Sequence, residues 1–137
     1  MSPSRFCHVL ALCLLSFGVR AADTSVPPNS EAAVKHVDAR EAETLVKLKK
    51  VVVLDVRTPD EFKAGHIAGA TNINFRASDF EQRLSELDTN KSYLVHCASG
   101  GRSTQALPVF KKLHFSSVTH LDGGIKAWEK AGLPLDK

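Results

Sequence analysis

The stretch Tyr93-Leu-Val-His-Cys-Ala-Ser-Gly-Gly-Arg-Ser103 decides how this sequence folds. Tyr93 to His96 is a short, largely apolar run of the kind that forms a strand, and Cys97 ends it. Ala98, Ser99, Gly100 and Gly101 are small enough to let the backbone curl tightly. A helical segment then runs from Ser103 to Leu113, with Pro108 expected to kink or restart it. Strand, tight loop and helix make up the first part of a βαβ unit.

The same alternation extends outward in both directions. Upstream, Val51-Val52-Val53-Leu54 is a continuous β-branched run, as in a strand buried on both faces. Before it, His36-Val37 opens a short strand, and Asp38 is the N-cap of a helix. Glu41 completes a capping-box pattern there, ahead of Ala42, Leu45, Val46 and Leu48. After it, Thr58 and Pro59 mark a helix start as N-cap and first helical residue. Ile67 to Ile73 supplies a further strand, and Phe75 to Leu87 a helix with Phe80, Leu84 and Leu87 on one face. Downstream come a strand at Val118 to Leu121, a turn at Gly123-Gly124 and a closing helix from Ile125 to Ala131. Strands separated by helices predict an α/β fold, a parallel sheet with helices on both faces.

In such sheets ligands bind at the carboxyl ends of strands, where Cys97 falls. Successive N–H groups of the Ala98–Gly101 loop can point inward as an anion-binding nest. The following helix begins near Arg102 and adds its positive end, and Arg102 adds a permanent charge. All three effects favour thiolate over thiol, so a depressed Cys97 pKa and a nucleophilic sulfur are expected. A strand-ending cysteine alone is more often a small buried hydrophobe. The small-residue loop, the arginine and the helix start together reverse that balance.

Three segments carry a resemblance to a known family. The first is Asp55-Val-Arg-Thr-Pro-Asp-Glu-Phe62, followed by Gly65-His66-Ile67, Gly69-Ala70 and Asn72; the second is the loop Cys97 to Arg102. The third is Leu121-Asp-Gly-Gly124 with Ala127-Trp128, Ala131-Gly132 and Pro134. In that order they resemble the rhodanese-like family over about residues 36–135. The resemblance implies a five-stranded parallel sheet flanked by helices. It also implies transfer of sulfane sulfur from a donor such as thiosulfate to a nucleophilic acceptor, cyanide or a thiol, through a Cys97 persulfide. The partners so implied are a small-molecule sulfur donor and a thiophilic acceptor, which includes the possibility of a protein thiol. Such double displacement needs neither a metal nor an organic cofactor. Amides from about Ala98 to Arg102 would hold the terminal sulfur, and Asp55 and Arg57 would support the loop.

Other readings remain beside this one. Val95-His96-Cys97 with Gly100 looks like the start of a tyrosine-phosphatase loop, but those loops place arginine six residues after the cysteine. Here Ser103 holds that position and Arg102 stands five residues on, a tighter cradle suited to one sulfur atom. Domains of the family also serve as docking modules when the loop cysteine is replaced; Cys97 is retained. Asp55 and Arg57 read equally as a local ion pair at the strand-to-helix turn. Glu61 and His66 read as scaffold, and a metal site of His66 with His96 lacks close spacing. His96 stands where the family more often carries another residue. Ser103 either donates to a bound anion or caps the helix.

The amino-terminal end has a different character. Arg5, the apolar run Phe6 to Val19 and the small residues Ala21-Ala22 describe an export signal over residues 1–21, with an uncleaved anchor as the alternative. Residues 22–34 read as a flexible leader, and 35–137 as the domain. Cleavage after Ala21 removes Arg5 and Arg20, taking Lys+Arg from 18 to 16 against 15 acidic residues and the net charge from +3 to +1. Neither nucleic acid nor stable membrane insertion of the mature chain is expected. Cys7 and Cys13 leave as well, so the mature protein, periplasmic or secreted, would keep Cys97 alone and form no internal disulfide.

Overall fold

The apolar runs become strands covered on both faces. The computed structural model describes residues 33–137; the expected export signal and the leader up to residue 32 lie outside the described residues. Strands β1 (Lys35–Val37), β2 (Val52–Asp55), β3 (Thr71–Asn72), β4 (Ser92–His96) and β5 (Ser117–Leu121) form one parallel sheet in the order β1-β5-β4-β2-β3. Helices α1 (Ala39–Lys47), α2 (Pro59–Ala64), α3 (Phe80–Ser85), α4 (Gly101–Lys112) and α5 (Gly124–Lys130) alternate with them. The five-stranded α/β fold implied by the resemblance is present.

Side chains on neighbouring positions of a strand point to opposite faces, and the two cores follow that rule. Val53 and Leu94 pack with Val37, Ala42, Leu121 and Trp128 on the α1/α5 side. Leu54, Tyr93 and Val95 pack with Phe80, Leu84, Ala106 and Phe110 on the α3/α4 side. A strand lying between two helical layers cannot spare a polar face, hence the unbroken Val-Val-Val-Leu run. Cys97 belongs to the α3/α4 core, directly after the central strand β4. It is therefore buried, yet sits at the edge where ligands approach.

Four local expectations are adjusted. Helix α3 begins only at Phe80, because Asn74 closes a turn first: its Oδ1 accepts from the Arg76 N–H at 3.0 Å and its carbonyl from the Ala77 N–H at 3.1 Å. Such side-chain bonds compete with helix initiation. Strand β3 shrinks to two residues because the Ala70 N–H turns back to the Ile67 carbonyl at 3.0 Å. Helix α4 runs through Pro108 without restarting, giving up one N–H donor. Asp38 caps α1 by accepting from the Glu41 N–H at 2.9 Å, but Glu41's carboxylate pairs with Lys35 instead of closing the box.

Candidate active site

The Cys97 loop is held from outside by its carbonyls. The Cys97 carbonyl accepts the Ile125 N–H at 2.9 Å, and the Ala98 carbonyl accepts the Lys126 N–H at 3.1 Å. Both donors lie in the first turn of α5, where N–H groups have no partner within the helix. Gly124 makes this approach possible. A Cβ there would stand 2.5 Å from the Cys97 carbonyl oxygen and 2.7 Å from Ala98, and its φ of +60° suits glycine. The Gly123-Gly124 pair, read from sequence as a turn, is thus a contact surface for the loop.

With its carbonyls held outward, the loop turns N–H groups toward sulfur. Gly100, with φ +106°, donates its N–H to Cys97 Sγ at 3.2 Å, and the Ser103 hydroxyl lies 3.4 Å from the same atom. Burial pushes the Cys97 thiol up more strongly than any single contact pulls it down. The Ser103 hydroxyl and the backbone N–H groups of Ser103, Gly100 and Ser99 together outweigh it, so the pKa lies below the ordinary thiol value. Within the loop expected to form a nest, the Gly100 N–H bonds the sulfur, and Ser103, beyond that loop, adds its hydroxyl. The first-turn amides of Gly101 and Arg102 lie ahead of the first intrahelical bond of α4, Thr104 N–H to the Gly100 carbonyl.

Arg102 is less free than its sequence position suggests. Its guanidinium makes two bonds to Glu61, at 2.7 and 2.8 Å. The same carboxylate accepts from the Thr58 N–H and hydroxyl, closing a full capping box on α2. The Arg102 bonds hold the Glu61 carboxyl well below the usual range, against some opposition from burial, and the Thr58 bonds add to the effect. Cys97 and Arg102 do sense each other electrostatically, but Glu61 is the guanidinium's direct partner. Glu61, read as scaffold, therefore joins α2 to the loop. A capping box is legible in sequence; the cross-element arginine is not.

Asp55 and Arg57 form the local pair that the sequence allowed. The Arg57 guanidinium bonds both Asp55 oxygens, the closest at 2.6 Å, and reaches the Gly65 carbonyl at 2.8 Å, all buried. His96 lies beside this pair, fully buried, and burial lowers its pKa despite the Asp55 charge. It is therefore neutral. Its Nδ1 lies 3.1 Å from the Cys97 carbonyl, which can only accept, so Nδ1 carries the hydrogen. Nε2 is left without a hydrogen-bond partner, 3.8 Å from Asp55. His96 is thus a second clamp on the carbonyl that α5 already holds.

Sequence reasoning missed a polar group beyond Ser103. His120 Nε2 is 2.8 Å from Ser103 Oγ, and the Nδ1 atoms of His120 and His36 lie 2.8 and 2.7 Å from Asp122 Oδ1. The hydrogen bonds to Asp122 hold its carboxyl below the ordinary value. His36, His120 and Asp122 bring one ligand atom each within 4.8 Å, as a metal would require. In this arrangement the two rings, each through Nδ1, bond the same Asp122 oxygen. No spacing signal links residues 36, 103, 120 and 122; parallel pairing of β1 with β5 aligns His36 with His120.

The rhodanese-like domain family model matches residues 38–131, and the chain belongs to that family. It is 40% identical over 91 residues to thiosulfate sulfurtransferase 16, chloroplastic, of Arabidopsis thaliana, a match covering 59% of this chain and 76% of that protein. It is 31% identical over 103 residues to a sulfurtransferase of Allochromatium vinosum, covering 74% and 94%. Among solved structures it is similar to a rhodanese-related protein from Thermoplasma volcanium, with TM-score 0.67 and 31% identity over 74% of this chain and 97% of that one.

Two substitutions check this geometry. Gly124→Ala forces a Cβ into the loop carbonyls, and urea unfolding should show a loss of about 2–4 kcal/mol from overpacking and backbone strain; a loss under about 1 kcal/mol would mean α5 does not press on the loop. Glu61→Gln tests the Arg102 clamp through pH. A depressed folded pKa contributes stability above the unfolded value and loses it on acidification. The wild-type advantage over Glu61→Gln should be complete at neutral pH, begin to shrink below about pH 5 and go on shrinking through the most acidic conditions the fold survives. A constant difference would contradict the clamp.

Proposed function

We propose that this rhodanese-like domain is a sulfurtransferase carrying sulfane sulfur on Cys97 as a persulfide. The observation that carries the proposal is the position of Cys97 Sγ, at the focus of the Gly100 N–H and the Ser103 hydroxyl with further amides turned toward it. The names of the relatives support sulfur transfer as the class of reaction.

The thiolate attacks the outer sulfur of thiosulfate; a sulfur–sulfur bond forms to Cys97 as the donor's own breaks, and sulfite leaves with the electron pair. The persulfide carries its negative charge on the outer sulfur, one atom beyond Sγ. The first-turn amides of Gly101 and Arg102, which have no partner within the helix, are donors available for it. An acceptor nucleophile, cyanide or a thiol, then takes that sulfur and returns the thiolate. Loop amides contribute because they are fixed before charge arrives and need no reorganisation. Arg102, held by two bonds to Glu61, cannot swing freely onto a tetrahedral oxyanion, which favours sulfur over phosphate as the cargo.

The export signal belongs to the same reading. Cleaved after Ala21, the chain enters the periplasm or leaves the cell with Cys97 as its one thiol, so no resolving cysteine competes for the persulfide.

Intact-protein mass spectrometry after incubation with thiosulfate should show one added sulfur atom, removed by cyanide and absent from Cys97→Ser. Thiocyanate formation unchanged in Cys97→Ser would eliminate the mechanism. An unmodified wild-type protein that hydrolyses an aryl phosphate would replace it with phosphatase chemistry.

A further inference from the structure

A run of hydrogen bonds leads from Cys97 to the surface, and the sulfur chemistry above uses nothing of it beyond the Ser103 hydroxyl. From Sγ it passes through Ser103 Oγ and the His120 ring to Asp122. His120 is buried, whereas the Asp122 side chain is 56% exposed.

The single hydroxyl hydrogen of Ser103 decides what this run can do. Three acceptors compete for it: His120 Nε2 at 2.8 Å, the Gly100 carbonyl at 3.1 Å and Cys97 Sγ at 3.4 Å. The Asp122 carboxylate only accepts, so His120 Nδ1 carries a hydrogen and the neutral ring presents a bare lone pair at Nε2. While His120 is neutral, Nε2 is the nearest acceptor, and sulfur goes without the hydroxyl. Once the ring is an imidazolium, its Nε2–H donates to Ser103 Oγ and the hydroxyl hydrogen is released. The Gly100 carbonyl already accepts from the Thr104 N–H at 3.0 Å and the Thr104 hydroxyl at 2.7 Å, which leaves Sγ as the acceptor.

We propose that His120, oriented by Asp122, is the proton partner of Cys97 through Ser103, so that thiolate and imidazolium form together. The S–H bond breaks as Ser103 Oγ takes its proton, and the hydrogen Ser103 held moves to His120 Nε2. One proton leaves sulfur, one arrives on the ring, and nothing is oxidised or reduced. Asp122 fixes the tautomer and offsets the imidazolium charge. His120 acts through Ser103 and is a positioning residue.

The groups facing His120 are accounted for on every side. Helix α4 supplies Ser103 and Thr104, the latter with its hydroxyl 3.4 Å from Nε2. Asp122 follows β5, and His36 on β1 lies tilted against the ring, 5.1 Å between centroids, while sharing the Asp122 oxygen. On the β4 side are Cys97 and neutral His96, whose charging is disfavoured by His120. Among the described residues, Asp122 is the anion bonded directly to the ring, and the thiolate that the proposal creates reaches it only through Ser103.

The inference rests on the preceding section only in taking Cys97 as the nucleophile, and its test needs no sulfur donor. The reduced full-length chain is alkylated with iodoacetamide from about pH 4 to pH 10, and modification of Cys97 is followed by peptide mass spectrometry. Coupled groups titrate in two steps, so the wild-type rate should rise in two stages, the first well below the ordinary thiol range. His120→Gln should show one stage, displaced upward, with alkylation at pH 6 slowed about tenfold or more, one pKa unit or above. Ser103→Ala should give a similar loss, and adding His120→Gln to it should cost little more, since both cut the same path. Asp122→Asn, which leaves the buried ring in place, should shift the first stage in the same direction and guards against misfolding of the histidine variant. A wild-type profile in His120→Gln, or additive losses in the double variant, would overturn the proposal. Sulfur loading in the absence of such coupling would leave the persulfide chemistry standing.

Discussion

The site depends on two carbonyl groups being taken from behind. A peptide unit that turns its C=O outward turns its N–H inward, so fixing the Cys97 and Ala98 carbonyls on the first turn of α5 helps determine what the sulfur meets. His96 reinforces the first of these from the strand side. Glycine at 124 is the steric condition for the contact, since any larger residue would separate α5 from the loop. The nucleophile's environment is therefore built by a helix more than twenty residues downstream as much as by the loop itself.

Burial and activation pull against each other here. Moving a thiol into a core raises its pKa, and Cys97 lies among Val95, Ala106 and Phe110. Donors fixed in the loop reverse that effect. The arrangement favours a soft monoatomic anion: the donors converge on one point, and the permanent cation nearest in sequence is tied to Glu61. On the proposed reading, the commitment of Arg102 to Glu61 adds to the short cysteine-to-arginine spacing in favouring a persulfide sulfur over an oxyanion.

Much of this was legible in the sequence, for identifiable reasons. Val51 to Leu54 and Tyr93 to His96 gave strands because continuous apolar runs need cover on both faces, and Thr58-Pro59 gave a helix start because cap chemistry is local. The small residues after Cys97 pointed to the nest for the same local reason. What stayed hidden was set by pairing between distant elements. Glu61 carries no mark that its partner is Arg102, and the role of His96 depends on which carbonyl its ring faces. His36, His120 and Asp122 meet only because β1 lies beside β5 in the sheet. Where local side-chain turns compete with a helix, as at Asn74, periodicity overran the true boundary.

The most direct test of the account is a crystal structure of the thiosulfate-treated protein. It should show a second sulfur on Cys97 Sγ, enclosed by inward N–H groups of the Ser99–Ser103 loop, with the Cys97 and Ala98 carbonyls still bonded to Ile125 and Lys126. A loop whose amides face solvent, or an added sulfur lying outside the loop against apolar neighbours, would contradict it.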